Sequence, residues 1–220
     1  MKRTISIILC ALMVVLLVAC GEEQKPVTGY DDLILKLSET VDQLFSDDFD
    51  KELEKGSYTS PTGELNDKWT AMLRDAKTDF KNIDENAFGY KMVDVNSDSS
   101  AELFFVRSDG RLLAVFTMYE GAPLLVDAYN RSYQCVLRDT GELYIMTVRS
   151  DGGYDFKINA LNSSTGALNN TISFGQEGSI CYEMIEGSIY TTSNERLSEL
   201  RNEYPFEHSS VFEEMELVLF

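Results

Sequence analysis

The chain has 220 residues, 44% of them hydrophobic, with 37 acidic against 19 basic residues and a net charge of −18. That length and apolar content allow one domain a full core, and the surplus of acid argues against nucleic acid as a partner while it favours solubility and concentrates cations. His208 is the only histidine, which excludes a paired-His zinc site, and no serine-hydrolase elbow or phosphate-cradling glycine loop occurs.

In chain order, Lys2 and Arg3 stand before an apolar run over 5–19 that ends in Leu17-Val18-Ala19-Cys20. Basic residues, a short apolar stretch and a small residue at the cut predict a signal peptide over 1–19 rather than a membrane span. Cys10 leaves with it. The polar stretch from Gly21 to Pro26 predicts a flexible tether over 20–27. Without Lys2 and Arg3 the mature chain keeps 17 basic residues against 37 acidic ones, a charge near −20.

Residues 28–82 predict a helical hairpin. Thr28 with Asp31 three residues on is a short-armed capping box. Tyr30, Leu33, Ile34, Leu37, Val41, Leu44 and Phe45 then recur at the spacing of one helical face. Ser60-Pro61-Thr62-Gly63 reads as a turn and second helix start. Leu65, Trp69, Met72, Leu73, Ala76 and Phe80 make the second stripe.

From residue 83 to 220 the apolar period shortens to two. Strands are predicted over 90–95, 102–107, 112–119, 124–129, 133–138, 143–149, 154–161, 168–174, 180–185, 188–192 and 215–220, with a helix over 193–201 before the last. Acid-Gly or Thr-Gly pairs punctuate them at Gly110, Gly121, Gly141, Gly152, Gly166, Gly178 and Gly187, as hairpin turns require. The fold class expected is α+β: an N-terminal helix pair packed on an antiparallel β-meander. Gly110-Arg-Leu and Gly141-Glu-Leu form a faint repeat, so the meander is expected as a propeller-like or rolled sheet. Residues 103–106 and 112–116 are apolar on both parities and should be buried on both sides. Residues 154–160 alternate and should have one wet face. Cys135 and Cys181 both fall in strands, where a disulfide and two separate buried thiols are both open readings.

Leu17-Val18-Ala19-Cys20 resembles the bacterial lipobox. The resemblance implies a diacylglyceryl thioether on Cys20, cleavage just before it, and anchorage to the cell membrane on the extracytoplasmic face. Two or more acyl chains make such attachment durable. Gly21, in place of an acid, argues against retention at the inner membrane of a two-membrane bacterium.

Between two predicted strands lies Asp94-Val95-Asn96-Ser97-Asp98-Ser99-Ser100-Ala101-Glu102. Oxygen side chains stand at relative positions one, three, five and nine, with the Ser100 carbonyl at seven, and calcium takes six to eight oxygen ligands. Phe105 at position twelve excludes an EF-hand. The segment is similar to aspartate-rich loops of lipoproteins from Gram-positive gut bacteria and to the calcium loops of FG-GAP and integrin-type propeller repeats. That resemblance implies Asp94, Asn96, Asp98, the Ser100 carbonyl and Glu102 as ligands. Asn96 stands where the families have an acid and Ser99 where they have Gly, which lowers affinity. The other reading is a metal-free turn with these side chains bonded to local backbone.

These features lead us to expect a lipid-anchored surface protein, non-catalytic, that binds or scaffolds a protein or glycan and is calcium-stabilised. A carboxylate-dependent glycan or cell-wall hydrolase and an accessory subunit of an envelope complex are the alternatives. A Cys–His pair from Cys135 or Cys181 with His208 is disfavoured, because His208 reads as a surface-loop residue.

Overall fold

The structure is a computed structural model, and it describes residues 29–46, 48–49, 51, 58–64, 66–79, 87–206 and 217–220. The predicted signal peptide, Cys20, the tether, Leu65, Phe80 and His208 lie outside these residues.

Helix α1 (Tyr30–Leu44) buries Leu33, Leu37, Val41 and Leu44, the one-face stripe expected of its spacing. Its N-cap is Gly29, which supplies no side-chain bond; Thr28 is outside the described residues. Helix α2 (Asp67–Asp79) buries Trp69, Met72, Leu73 and Ala76. It begins later than its sequence suggests. Ser60–Gly63 is a separate turn, closed by the Gly63 N–H donating to the Ser60 carbonyl at 2.9 Å. Gly63 at φ +93° cannot continue a right-handed helix. The start of α2 is capped instead by Asn66, whose Oδ1 accepts the Trp69 N–H at 3.0 Å.

The strands are β1 (Phe88–Val93), β2 (Glu102–Arg107), β3 (Leu112–Tyr119), β4 (Ala122–Ala128), β5 (Tyr133–Leu137), β6 (Leu143–Val148), β7 (Tyr154–Asn162), β8 (Ala167–Glu177), β9 (Ile180–Ile185), β10 (Ser188–Thr192) and β11 (Val218–Leu219), with α3 (Asn194–Glu203) after β10. They form two antiparallel sheets, not one rolled meander. Sheet I has the order β11-β1-β2-β3-β4 and sheet II the order β10-β9-β8-β7-β6-β5. Neither closes into a barrel or a propeller blade ring. The chain leaves sheet I at Tyr129–Ser132, a junction without glycine, where no tight hairpin forms and the next strand starts a new sheet.

Three core clusters follow from this split. Leu103, Phe105 and Phe116 on one face of sheet I share a cluster with Leu37, Val41, Trp69 and Leu73 of the helices. The Trp69 ring lies 6.2 Å from Phe105 and 6.1 Å from Phe116 between centroids. The other face of sheet I, with Phe104, Val106 and Val115, packs on Leu137, Leu143 and Ile145 of sheet II. This is why β2 and β3 are apolar on both parities. The far face of sheet II, with Phe156, Ile158 and Phe174, packs under Leu197 and Leu200 of α3. The Ser193 side chain caps that helix by accepting the Arg196 N–H at 3.1 Å.

Sheet I covers only part of sheet II. Ile145, Lys157, Ser173, Met184 and Ile189 are successive cross-strand partners, so they lie on one face. Ile145 is buried between the sheets, whereas Ile189 is 71% exposed. That face therefore runs out from under sheet I across β7–β10.

Candidate functional site: the Asp94–Glu102 loop and the open face of sheet II

The aspartate-rich loop joins β1 to β2 at the edge of the inter-sheet core. Asp94 accepts the Asp98 and Ser99 N–H groups at 3.2 and 3.0 Å, Asn96 accepts the Asp98 N–H at 3.0 Å, and Asp98 accepts the Ser100 N–H at 2.8 Å. The side chains of positions one, three and five thus all turn toward the loop interior and bind its amides. Ser97 at φ +58° and Ser99 at φ +71° take the left-handed conformation that closes the turn, at a cost of about 1–2 kcal/mol each. Glu102, fully buried, closes the base. Its carboxylate accepts from the Val95 N–H at 2.9 Å, the Thr117 hydroxyl at 3.1 Å and Asn96 Nδ2 at 3.3 Å. Burial pushes this carboxyl up, against the opposing pull of the Val95 and Thr117 donors. Gly141 of the β5–β6 turn abuts the loop so closely that a Cβ there would collide with the Val95 carbonyl.

Among the described residues, no group of three or more His, Cys, Asp or Glu side chains is arranged so that it could hold a metal ion. The printed contacts of Asp94, Asn96 and Asp98 run to amides of the loop, and Asn96 also donates to Glu102. Asp94, Asn96, Asp98 and Ser100 lie in the loop, and Glu102 opens β2.

A second site was not legible in the sequence. On the open face of sheet II a groove of about 500 Å³ is lined by Arg149, Asp155, Lys157, Ser173, Ile180, Tyr182, Met184 and Ile189, among others. Arg149 is its polar hub, with ion pairs to Glu177 at 3.0 Å, Asp155 at 3.4 Å and Asp151 at 3.7 Å. The Tyr182 hydroxyl donates to Asp155, and burial together with that bond pushes the phenol up. Gly175 of β8 makes room for this ring, since a Cβ there would collide with the Tyr182 hydroxyl and the Tyr154 carbonyl. Ile180, 56% exposed, and Ile189 form the apolar wall. Such a mixture of apolar wall and a few fixed polar groups suits ligand recognition.

Cys135 and Cys181 are both free thiols. They lie on opposite faces of sheet II, Cys135 toward sheet I and Cys181 toward α3, so no bridge joins them. The Cys181 thiol donates to Asn194 Oδ1 at 3.0 Å. Burial pushes the Cys135 thiol well above its ordinary range, which keeps it protonated and inert. No helix among the described residues is long and apolar enough to cross a membrane.

No family model, curated protein or solved structure matches the chain.

Proposed function

We propose that the chain is a lipid-anchored protein of the extracytoplasmic face that binds a partner on the open face of sheet II and performs no catalysis. The groove around Arg149, Asp155 and Tyr182 carries this reading: it is preformed, half apolar, and left uncovered by sheet I. A carboxylate hydrolase draws less support, because Asp155 and Glu177 are both engaged by Arg149. The anchor itself rests on Leu17-Val18-Ala19-Cys20. In a bacterial host the native protein should enter the detergent phase on phase separation, and Cys20→Ser should stay in the aqueous phase. Equal partition of the two would remove the anchor.

In this reading the N-terminal helices act as a pair that shields the outer face of sheet I, and calcium pins the β1–β2 junction through Asp94, Asn96, Asp98, the Ser100 carbonyl and Glu102. The buried carboxylate of Glu102 supports the metal, since a cation would compensate its lost hydration. At ten times a dissociation constant of about 10⁻⁴ M, calcium adds about 1.4 kcal/mol and raises the melting temperature by about 3–6 °C. Asp94→Ala and Asp98→Ala should each abolish that shift. A native protein whose melting ignores calcium would rule out the metal.

A further inference from the structure

The free edges of the two sheets differ. Edge strand β4 carries Pro123 and Asp127, and Asp127 is ion-paired with Lys68 of α2 at 2.6 Å. Strand β11 is two residues long, and β5 is buried or half-buried at every residue but Gln134. Strand β10, Ser-Ile-Tyr-Thr-Thr, has no proline, no charge and no bulge, and is exposed from Ser188 to Thr191. Among the described residues it makes no backbone–backbone hydrogen bond outside its ladder with β9. Proline, charge, shortness and cover are the devices that block an edge from further pairing, and β10 lacks the first two and the last.

Its register shows which groups are offered. Glu186 at φ +49° and Gly187 at φ +78° form a two-residue turn of the doubly positive type, closed by Ile185 and Ser188. That closing pair is hydrogen-bonded, and bonded pairs alternate along an antiparallel ladder. Tyr190 and Thr192 therefore bond to β9, and the N–H and C=O of Ile189 and Thr191 point to the free edge. The side chains of the same two residues face the groove beside Met184 and Tyr182. An added strand would thus meet backbone donors and acceptors and the groove wall together.

Charge selects the occupant. Residues 149–203 hold eight acidic and four basic residues. Two of the basic ones, Arg149 and Arg196, are already paired with acids. A second copy of this chain, with net charge −18, would bring like charge to the edge. We propose that β10 is a strand-addition site for an extended, cationic segment of a partner polypeptide. The proposal rests on the open-face reading above and follows the general logic in which ladder bonds give affinity and alternate side chains give selectivity.

The test uses the mature protein and a short synthetic peptide of alternating Val and Lys, followed by fluorescence anisotropy at low salt. Binding is expected, weakened at least about tenfold when Glu replaces Lys in the peptide or when its amides are N-methylated. Thr191→Pro should cause a similar loss without lowering the melting temperature, because the N–H it removes is outside the ladder. Thr191→Lys, which repels the peptide and keeps the backbone intact, should do the same. Undiminished binding of the Glu peptide, of the N-methylated peptide or by both Thr191 variants would overturn the proposal. A concentration-dependent dimer abolished by Thr191→Pro would also overturn it, by assigning the edge to a second copy. If Tyr182→Ala weakens binding while the Thr191 variants do not, strand addition falls and the groove stands; if neither change matters, both readings fall.

Discussion

Strands β5 and β6 bury Leu137, Leu143 and Ile145 against sheet I, whereas β9 and β10, on the same face of the same sheet, present Ile180 and Ile189 to solvent. The covered part is held by apolar burial. The open part has its apolar core only on the opposite face, under α3, and carries polar links between turns and strands on this one: Arg149 to Asp155 and Glu177, Tyr182 to Asp155, and Asp151 to the amides of Gly153 and Gly178 at 3.0 and 3.1 Å. One sheet can therefore be covered on both faces at one end and on a single face at the other. Only the second end leaves a surface free for a partner.

This contrast can be broken by substitution. Phe104→Ala, at the inter-sheet core, should cost about 3–5 kcal/mol in chemical denaturation. A loss under about 1 kcal/mol would mean that the sheets do not pack as described. Tyr182→Phe removes a single bond from the open part and should cost about 1 kcal/mol, with the Phe ring still seated over Gly175. Acid provides a third probe. The Gly153 amide and then Arg149 hold the Asp151 carboxyl below its usual range. Its contribution is present above the ordinary carboxylate range and fades as pH falls through that range toward the lowered folded value. Amide exchange in the β6–β7 and β8–β9 turns should therefore quicken on acidification before exchange in β5 and β6 does. In Asp151→Asn this pH dependence should disappear. Smallest of all, Ile189→Ala should shift stability by no more than about 0.5 kcal/mol. A larger loss would show that the open face is covered in solution.

Several strands could be read directly from sequence. Residues 102–107, 112–119, 180–185 and 188–192 match β2, β3, β9 and β10 end for end, because β-branched and aromatic runs between Glu-Gly or Asp-Gly turns leave little freedom in register. The double-sided apolar pattern of β2 and β3 likewise foretold burial on both faces. The division into two sheets was harder to see. Its one signal is the stretch from Tyr129 to Ser132, which lacks the glycine found at every later strand junction up to β10. The residues of the Asp94–Glu102 loop are adjacent in sequence and hence visible as a pattern. Arg149, Asp155 and Tyr182 are not, since Tyr182 reaches Asp155 across 27 residues and two strand registers. The late start of α2 was missed because Pro61 imitates a first helical turn while Gly63 ends it.

Among the described residues, every ladder apart from the β1–β11 pair joins strands that are neighbours along the chain. Loop closures of that size cost little entropy and permit early, local assembly. Each hairpin can lock before the strands that follow it have found their partners. The chain can in this way gain order stepwise, with few long-range searches left for the end and little time spent with sticky segments unsheltered.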